Sequence, residues 1–163
     1  FVIFVMAWCW CNATESKPRN VSGNTNTKQY LKMVDKLENF KKIAPDLFED
    51  LVDKYGYSLD EIKTNQLNNK DWSVHLIYTN LDKNLKIIIK QEPYYTDYGF
   101  SFFIYKIGTE EYNILCNVEH HKQDAEDKFL LKAHNDLFTT KETFDIITGV
   151  EWKELKRIPF LKA

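Results

Sequence analysis

Between Trp72 and Val118 the apolar residues recur every second position, and this alternation constrains the fold more than any other feature. Trp72, Val74, Leu76 and Tyr78 alternate with Ser73, His75, Ile77 and Thr79. Leu85, Ile87 and Ile89 alternate with Lys86, Ile88 and Lys90. Phe100, Phe102 and Ile104 alternate with Ser101, Phe103 and Tyr105, and Tyr112, Ile114, Cys116 and Val118 with Asn113, Leu115 and Asn117. Successive side chains of a strand point to opposite faces, so each run reads as a strand with one apolar face. The links are short: Asn80 to Asn84, Gln91 to Asp97 with Pro93, and a turn at Gly108-Thr109. Four such runs in series predict an antiparallel meander. One face is continuously apolar, from Trp72 through Phe102 to Ile114, Cys116 and Val118. The other mixes Ile77, Ile88, Phe103, Tyr105 and Leu115 with Ser73, His75, Lys86, Lys90, Asn113 and Asn117.

The apolar face needs a cover, and the flanking segments have helical period. Leu31, Val34, Leu37, Phe40 or Lys41, and Ile43 lie on one face of a helix from Lys28 to Ile43. Ala44-Pro45 is expected to break it, because the residue before proline is pushed out of the helical region. A second helix then opens at Pro45, burying Leu47, Phe48, Leu51, Val52 and Tyr55 and stopping at Gly56. Ser58 to Glu61 fits a capping box for one helical turn, or a strand through Tyr57 to Ile62. After the sheet, Asp124 to Leu137 offers Phe129, Leu130, Ala133 and Leu137. Thr139 to Glu142 reads as a capping box ahead of Phe144, Ile147 and a stop at Gly149. Val150, Trp152, Leu155 and Ile158 suggest a last short helix. The predicted class is α+β: N-terminal helices packed on a four-stranded antiparallel meander sheet, followed by C-terminal helices.

The folded part is one α+β domain over residues 28–163, a length that can bury a core without metals or disulfides. Ahead of it, Phe1 to Trp10 carries no charge. A spanning helix needs about 20 apolar residues, so residues 1–13 read as a truncated export signal, or as a lipoprotein leader with Cys9 or Cys11 lipidated. Residues 14–27 are small and polar, a flexible tether. The expected location is exported: periplasmic, cell-envelope or secreted. Contact with a membrane would then run only through an N-terminal lipid anchor. Cys116 is the one cysteine beyond this leader, so it reads as a buried strand thiol.

Net charge is −2, which gives no bulk attraction to nucleic acid. No phosphate-cradling glycine loop or nucleophile motif is present, and no cofactor is expected. Glu119-His120-His121 has metal-ligating side chains, but His120 and His121 would alternate across a strand end and not share an ion. They are weak metal candidates only. Aromatics, at 15%, are abundant and cluster between Trp72 and Tyr112. The candidate binding residues are Tyr94, Tyr95 and Tyr98 in the loop after Ile89, with Phe103 and Tyr105 on the mixed face. Aromatic side chains in such places carry interface energy at low entropy cost. The favoured function is a non-enzymatic module that binds a protein partner. The alternative is a small-ligand binder with a pocket between sheet and helices, lined by Trp72, Phe100 and Phe102.

The stretch FEDLVDKYG, Phe48 to Gly56, followed by WSVHLIYTN, LKIIIK and FSFFIYKIG, resembles small bacterial immunity-type proteins. The resemblance covers Lys28 to Val118. It implies a helix-first, sheet-after fold and an inhibited partner toxin, and it assigns no functional residue. The leader sets this chain apart from immunity proteins that act in the cytosol.

Overall fold

The computed structural model describes residues 25–92, 99–124 and 127–155. The expected leader and most of the tether lie outside the described residues, as do Tyr94, Tyr95 and Tyr98. The chain orders as α1 (Thr25–Leu47), α2 (Asp50–Asp53), β1 (Ser58–Leu67), β2 (Lys70–Asn80), β3 (Leu85–Gln91), β4 (Gly99–Lys106), β5 (Tyr112–Glu119), a 3₁₀ turn (His120–Lys122), α3 (Lys128–Thr139) and α4 (Lys141–Thr148). The sheet has five strands in the order β1-β2-β3-β4-β5, every neighbouring pair antiparallel. The meander is as expected, but with one strand more than four.

The extra strand is β1, where Ser58 to Glu61 forms no helical cap. Asn68 and Asn69 both take positive φ (52° and 58°) between the paired Leu67 and Lys70. Two consecutive left-handed residues make the tight hairpin turn whose twist matches that of its strands, and asparagine tolerates that conformation. β1 is an edge strand and mostly exposed. It carries Asp60, Glu61 and Lys63 and two register irregularities, features that keep an edge from pairing with other chains.

Helices cover one face of the sheet. Leu37, Phe40, Ala44, Phe48 and Leu51 pack on it from the N-terminal side, and Phe129, Leu130, Ala133, Leu137, Ile146 and Ile147 from the C-terminal side. They meet Val74, Leu76, Tyr78, Ile87, Ile89, Phe100, Phe102 and Ile104. The Phe100 ring is the hub, within 6.4 Å of Phe48, 6.3 Å of Phe40 and 6.0 Å of Phe129 between centroids. Thus the residues expected to line a ligand pocket, Phe100 and Phe102, are fully buried core.

Four local expectations are corrected. α1 does not break at Ala44-Pro45; it runs through Pro45 to Leu47. Proline inside a helix costs about 3 kcal/mol, but Ala44 and Phe48 on either side are fully buried against the sheet, and Phe48 N–H still reaches the Ala44 carbonyl at 3.0 Å. Val52, expected inside, is exposed. The Thr139–Glu142 capping box is replaced by Thr140 at the N-cap of α4 with no side-chain cap bond, while Thr143 Oγ1 donates to the Leu137 and Thr140 carbonyls. Residues 151–155 are irregular where a last helix was expected. Asn113 holds them there, donating through Nδ2 to the Lys153 carbonyl (2.8 Å) and accepting from Leu155 N–H (2.9 Å).

The stop at Gly149 is as expected, the C-cap of α4 at positive φ (74°), whereas α2 ends earlier, at Asp53 with Lys54 as C-cap, and Gly56 turns the chain two residues further on at φ 73°. α3 begins later than Asp124. The Asp124 carboxylate accepts from the N–H groups of Lys128 (2.9 Å) and Phe129 (2.8 Å), placing a negative charge at the helix's positive end.

Candidate functional site

The second face of the sheet is built by the strand registers. Ile77, Ile88, Phe103 and Ile114 are successive partners across β2, β3, β4 and β5. They form an apolar row at right angles to the strands, continued on β1 by Glu61. A second row runs Thr79, Lys86, Tyr105, Tyr112, and a third Lys63, His75, Lys90, Ser101, Asn117. The helical core is on the opposite side. Among the described residues no helix packs on this face, and Tyr112 and Ile114 are exposed.

One bulge decides its composition. In the β4–β5 ladder Phe102 pairs with Cys116, but Phe103 pairs with Ile114, so Leu115 is an extra residue. An inserted residue shifts the alternation of everything before it. Ile114, expected on the covered face, is therefore 39% exposed on the open one. Leu115 and Asn113, expected on the mixed face, are buried at 6% and 3% exposure.

The aromatic side chains cluster. Tyr105 lies 5.6 Å from Tyr112 and 6.1 Å from Phe103 between ring centroids, and Phe103 lies 6.3 Å from Tyr112. Lys90 Nζ sits 4.5 Å from the Phe103 ring centroid, a cation–π contact that fixes the ring's flank. Burial pushes the Tyr105 phenol up, helped by Tyr112 and Glu92, so it stays a neutral donor at physiological pH.

Beside the rings is a polar cluster. Glu92 Oε1 lies 3.3 Å from His75 Nε2 and 3.2 Å from Lys90 Nζ. Burial works to raise the Glu92 pKa, but the His75 hydrogen bond and the Lys90 charge outweigh it and hold the carboxyl below the usual carboxylate range. Ser73 Oγ also meets His75 Nε2, at 3.3 Å, and accepts from Asn65 Nδ2 at 2.9 Å. A serine–histidine–carboxylate relay uses both ring nitrogens, one for each neighbour. Here Ser73 and Glu92 meet the same nitrogen, so the trio is not a proton relay. It braces the end of β3, where Glu92 N–H bonds the Gly99 carbonyl at 2.9 Å and closes the base of the tyrosine loop.

Of the sequence candidates, Phe103 and Tyr105 are brought together here. Tyr94, Tyr95 and Tyr98 lie outside the described residues. Tyr112, Ile114 and Ile88 were not named as binding residues; the alternation already placed Ile88 on this face, and the bulge and the register bring Tyr112 and Ile114 to it. His120 and His121 sit in a 3₁₀ turn rather than on a strand end, and His121 Nε2 faces Glu119 at 3.3 Å. Among the described residues no three metal-binding side chains converge. Burial pushes the Cys116 thiol up to about 11, so it stays protonated and poorly nucleophilic at neutral pH.

No protein-family model, curated protein or solved structure matches the chain.

Proposed function

We propose that this protein is a non-enzymatic module that binds a protein partner on the open face of its sheet. The carrying observation is the contiguous patch of Ile88, Phe103, Tyr105, Tyr112 and Ile114 on a face that no described helix covers. Its aromatic rings are braced by one another and by Lys90, so little conformational entropy remains to be lost on contact. The uncharged N-terminal stretch supports an exported or envelope-tethered location, and the immunity-type resemblance supports an inhibitory role.

The test is affinity capture from the source organism with the native chain and a Phe103→Asp variant as paired baits. A partner retained by the native chain and lost by the variant is expected. A partner held equally by both overturns the assignment of the face.

A further inference from the structure

We infer that His134 is an acid-sensitive joint in the helical cover: neutral, it seats α3 against the segment that follows α1, and protonated, it releases the two. The inference is separate from the docking face, which lies on the other side of the sheet. The joint is a chain of rings. His134, on α3, lies edge-on to Phe48 (centroids 5.4 Å apart, 62° between planes) and 4.7 Å from Phe138 of its own helix. Phe138 stacks on Tyr55 at 5.5 Å, and Tyr55 meets Phe144 of α4 edge-on at 5.8 Å. The rings thus tie the N-terminal half of the cover, at Phe48 and Tyr55, to α3 and α4. Histidine is the side chain whose charge changes between pH 5 and 8, and the other rings of the chain are phenylalanine and tyrosine.

The nitrogen that would take the proton is badly placed to keep it. His134 Nε2 is buried, and among the described residues no hydrogen-bond partner reaches it. A bare ring lone pair is tolerated among aromatic neighbours. A charged N–H taken out of water with no acceptor is far more costly. Burial accordingly pushes the His134 pKa below the ordinary histidine value. It outweighs Asp50 of α2 and the Asn135 amide beside it, which both favour the imidazolium, while Lys54 of α2 opposes the charge as burial does. Asp50 is itself paired with Lys54 at 2.8 Å, so its pull on the ring is offset. Below the ordinary value of about 6.5, an opened joint takes up a proton that the closed one refuses. The contact is therefore fully stable above that pH and weakens as pH falls through the folded value.

The experiment follows the full chain by NMR from about pH 7.5 to 5, a window set by the ordinary histidine value. The His134 imidazole resonances should titrate below that value. Amide protection factors, which correct for the intrinsic pH dependence of exchange, should fall several-fold across α3 and α4 on acidification. Those of β3 and β4 should hold. His134→Leu, which fills the same place and cannot be protonated, should abolish the fall, and His134→Gln should do the same if the leucine variant does not fold. Loss of the pH dependence in either variant also separates this joint from the His75–Glu92 and His121–Glu119 contacts, which both variants keep. Titration of His134 at or above the ordinary value overturns the inference, because Asp50 and the ring faces would then be holding the imidazolium. Protection in α3 and α4 that is unchanged by acid, or that falls equally in the variants, overturns it as well. None of these outcomes bears on Phe103, so the docking face stands or falls by its own test.

Discussion

Phe103 faces Ile114 across the β4–β5 ladder because Leu115 is bulged out of the pairing. That relationship separates two neighbours in sequence by their surroundings. Leu115 is core, whereas Ile114 belongs to the open face. Leu115→Ala is expected to cost about 2–4 kcal/mol, as for other buried leucines, and Ile114→Ala less than about 1 kcal/mol. Chemical denaturation of both variants checks this, and the reverse order would place the bulge elsewhere.

Phe102 and Phe103 make the same comparison on β4. Phe102 is fully buried, with its ring 5.9 Å from that of Phe48. Phe102→Ala should lose about 3–5 kcal/mol. Phe103→Ala, which forfeits a surface ring stack and the contact with Lys90, should lose about 1 kcal/mol. Equal losses in thermal or urea unfolding would mean that the open face is covered in solution.

Gly99 is required by a close approach. A Cβ there would lie 2.2 Å from the Val118 carbonyl oxygen, 2.7 Å from the His120 nitrogen and 2.9 Å from Gln123 Nε2. Gln123 is itself bonded to Gln91 and accepts from the buried Lys36 ammonium. Gly99→Ala should therefore destabilise by about 1–3 kcal/mol through overpacking and raise hydrogen exchange at Val118 to Gln123. An unchanged melting temperature would show that β4 and β5 stand further apart.

Asn113→Ala removes both bonds to residues 151–155. Faster proteolytic cleavage after Glu151 is expected, with a stability loss of about 1–3 kcal/mol from the polar groups left unpaired. Cleavage at the native rate would mean that Trp152, packed under Lys106, holds the segment without help.

Glu92 supplies a pH test. Its folded-state pKa is depressed by His75 and Lys90 against the opposing effect of burial. A depressed carboxylate contributes stability that is present above its unfolded pKa, about 4.3, and is lost as pH falls through the folded value. Glu92→Gln should thus be less stable than the native chain at pH 7, and the gap should close toward pH 3. A gap that widens on acidification would reverse the sign assigned to the cluster.

The alternation in residues 74–78, 85–89 and 100–104 determined β2, β3 and β4 and which of their side chains face the core. It also put Phe103 and Tyr105 on the opposite side. The helical period of Phe129, Leu130, Ala133 and Leu137 and the glycines at 56 and 149 were equally legible, because each reflects a local rule of burial or backbone conformation. β1 was legible only in part, as the strand alternative over Tyr57 to Ile62. An edge strand exposed on both faces has no apolar alternation, so nothing carried that alternative on to Leu67 and the Asn68-Asn69 turn. The bulge at Leu115 was decided by pairing with β4. Nothing in Tyr112 to Cys116 alone distinguishes a regular strand from one with an extra residue, so Ile114 and Tyr112 entered the patch only through the register. Pro45 stayed helical, and residues 151–155 stayed irregular, for the same kind of reason. Burial of Ala44 and Phe48 against a distant sheet and two bonds from Asn113 outweigh local preferences worth a few kcal/mol. Short-range periodicity records which side of an element is buried, while the partner it is buried against, and the register of that contact, exist only once the chain has folded.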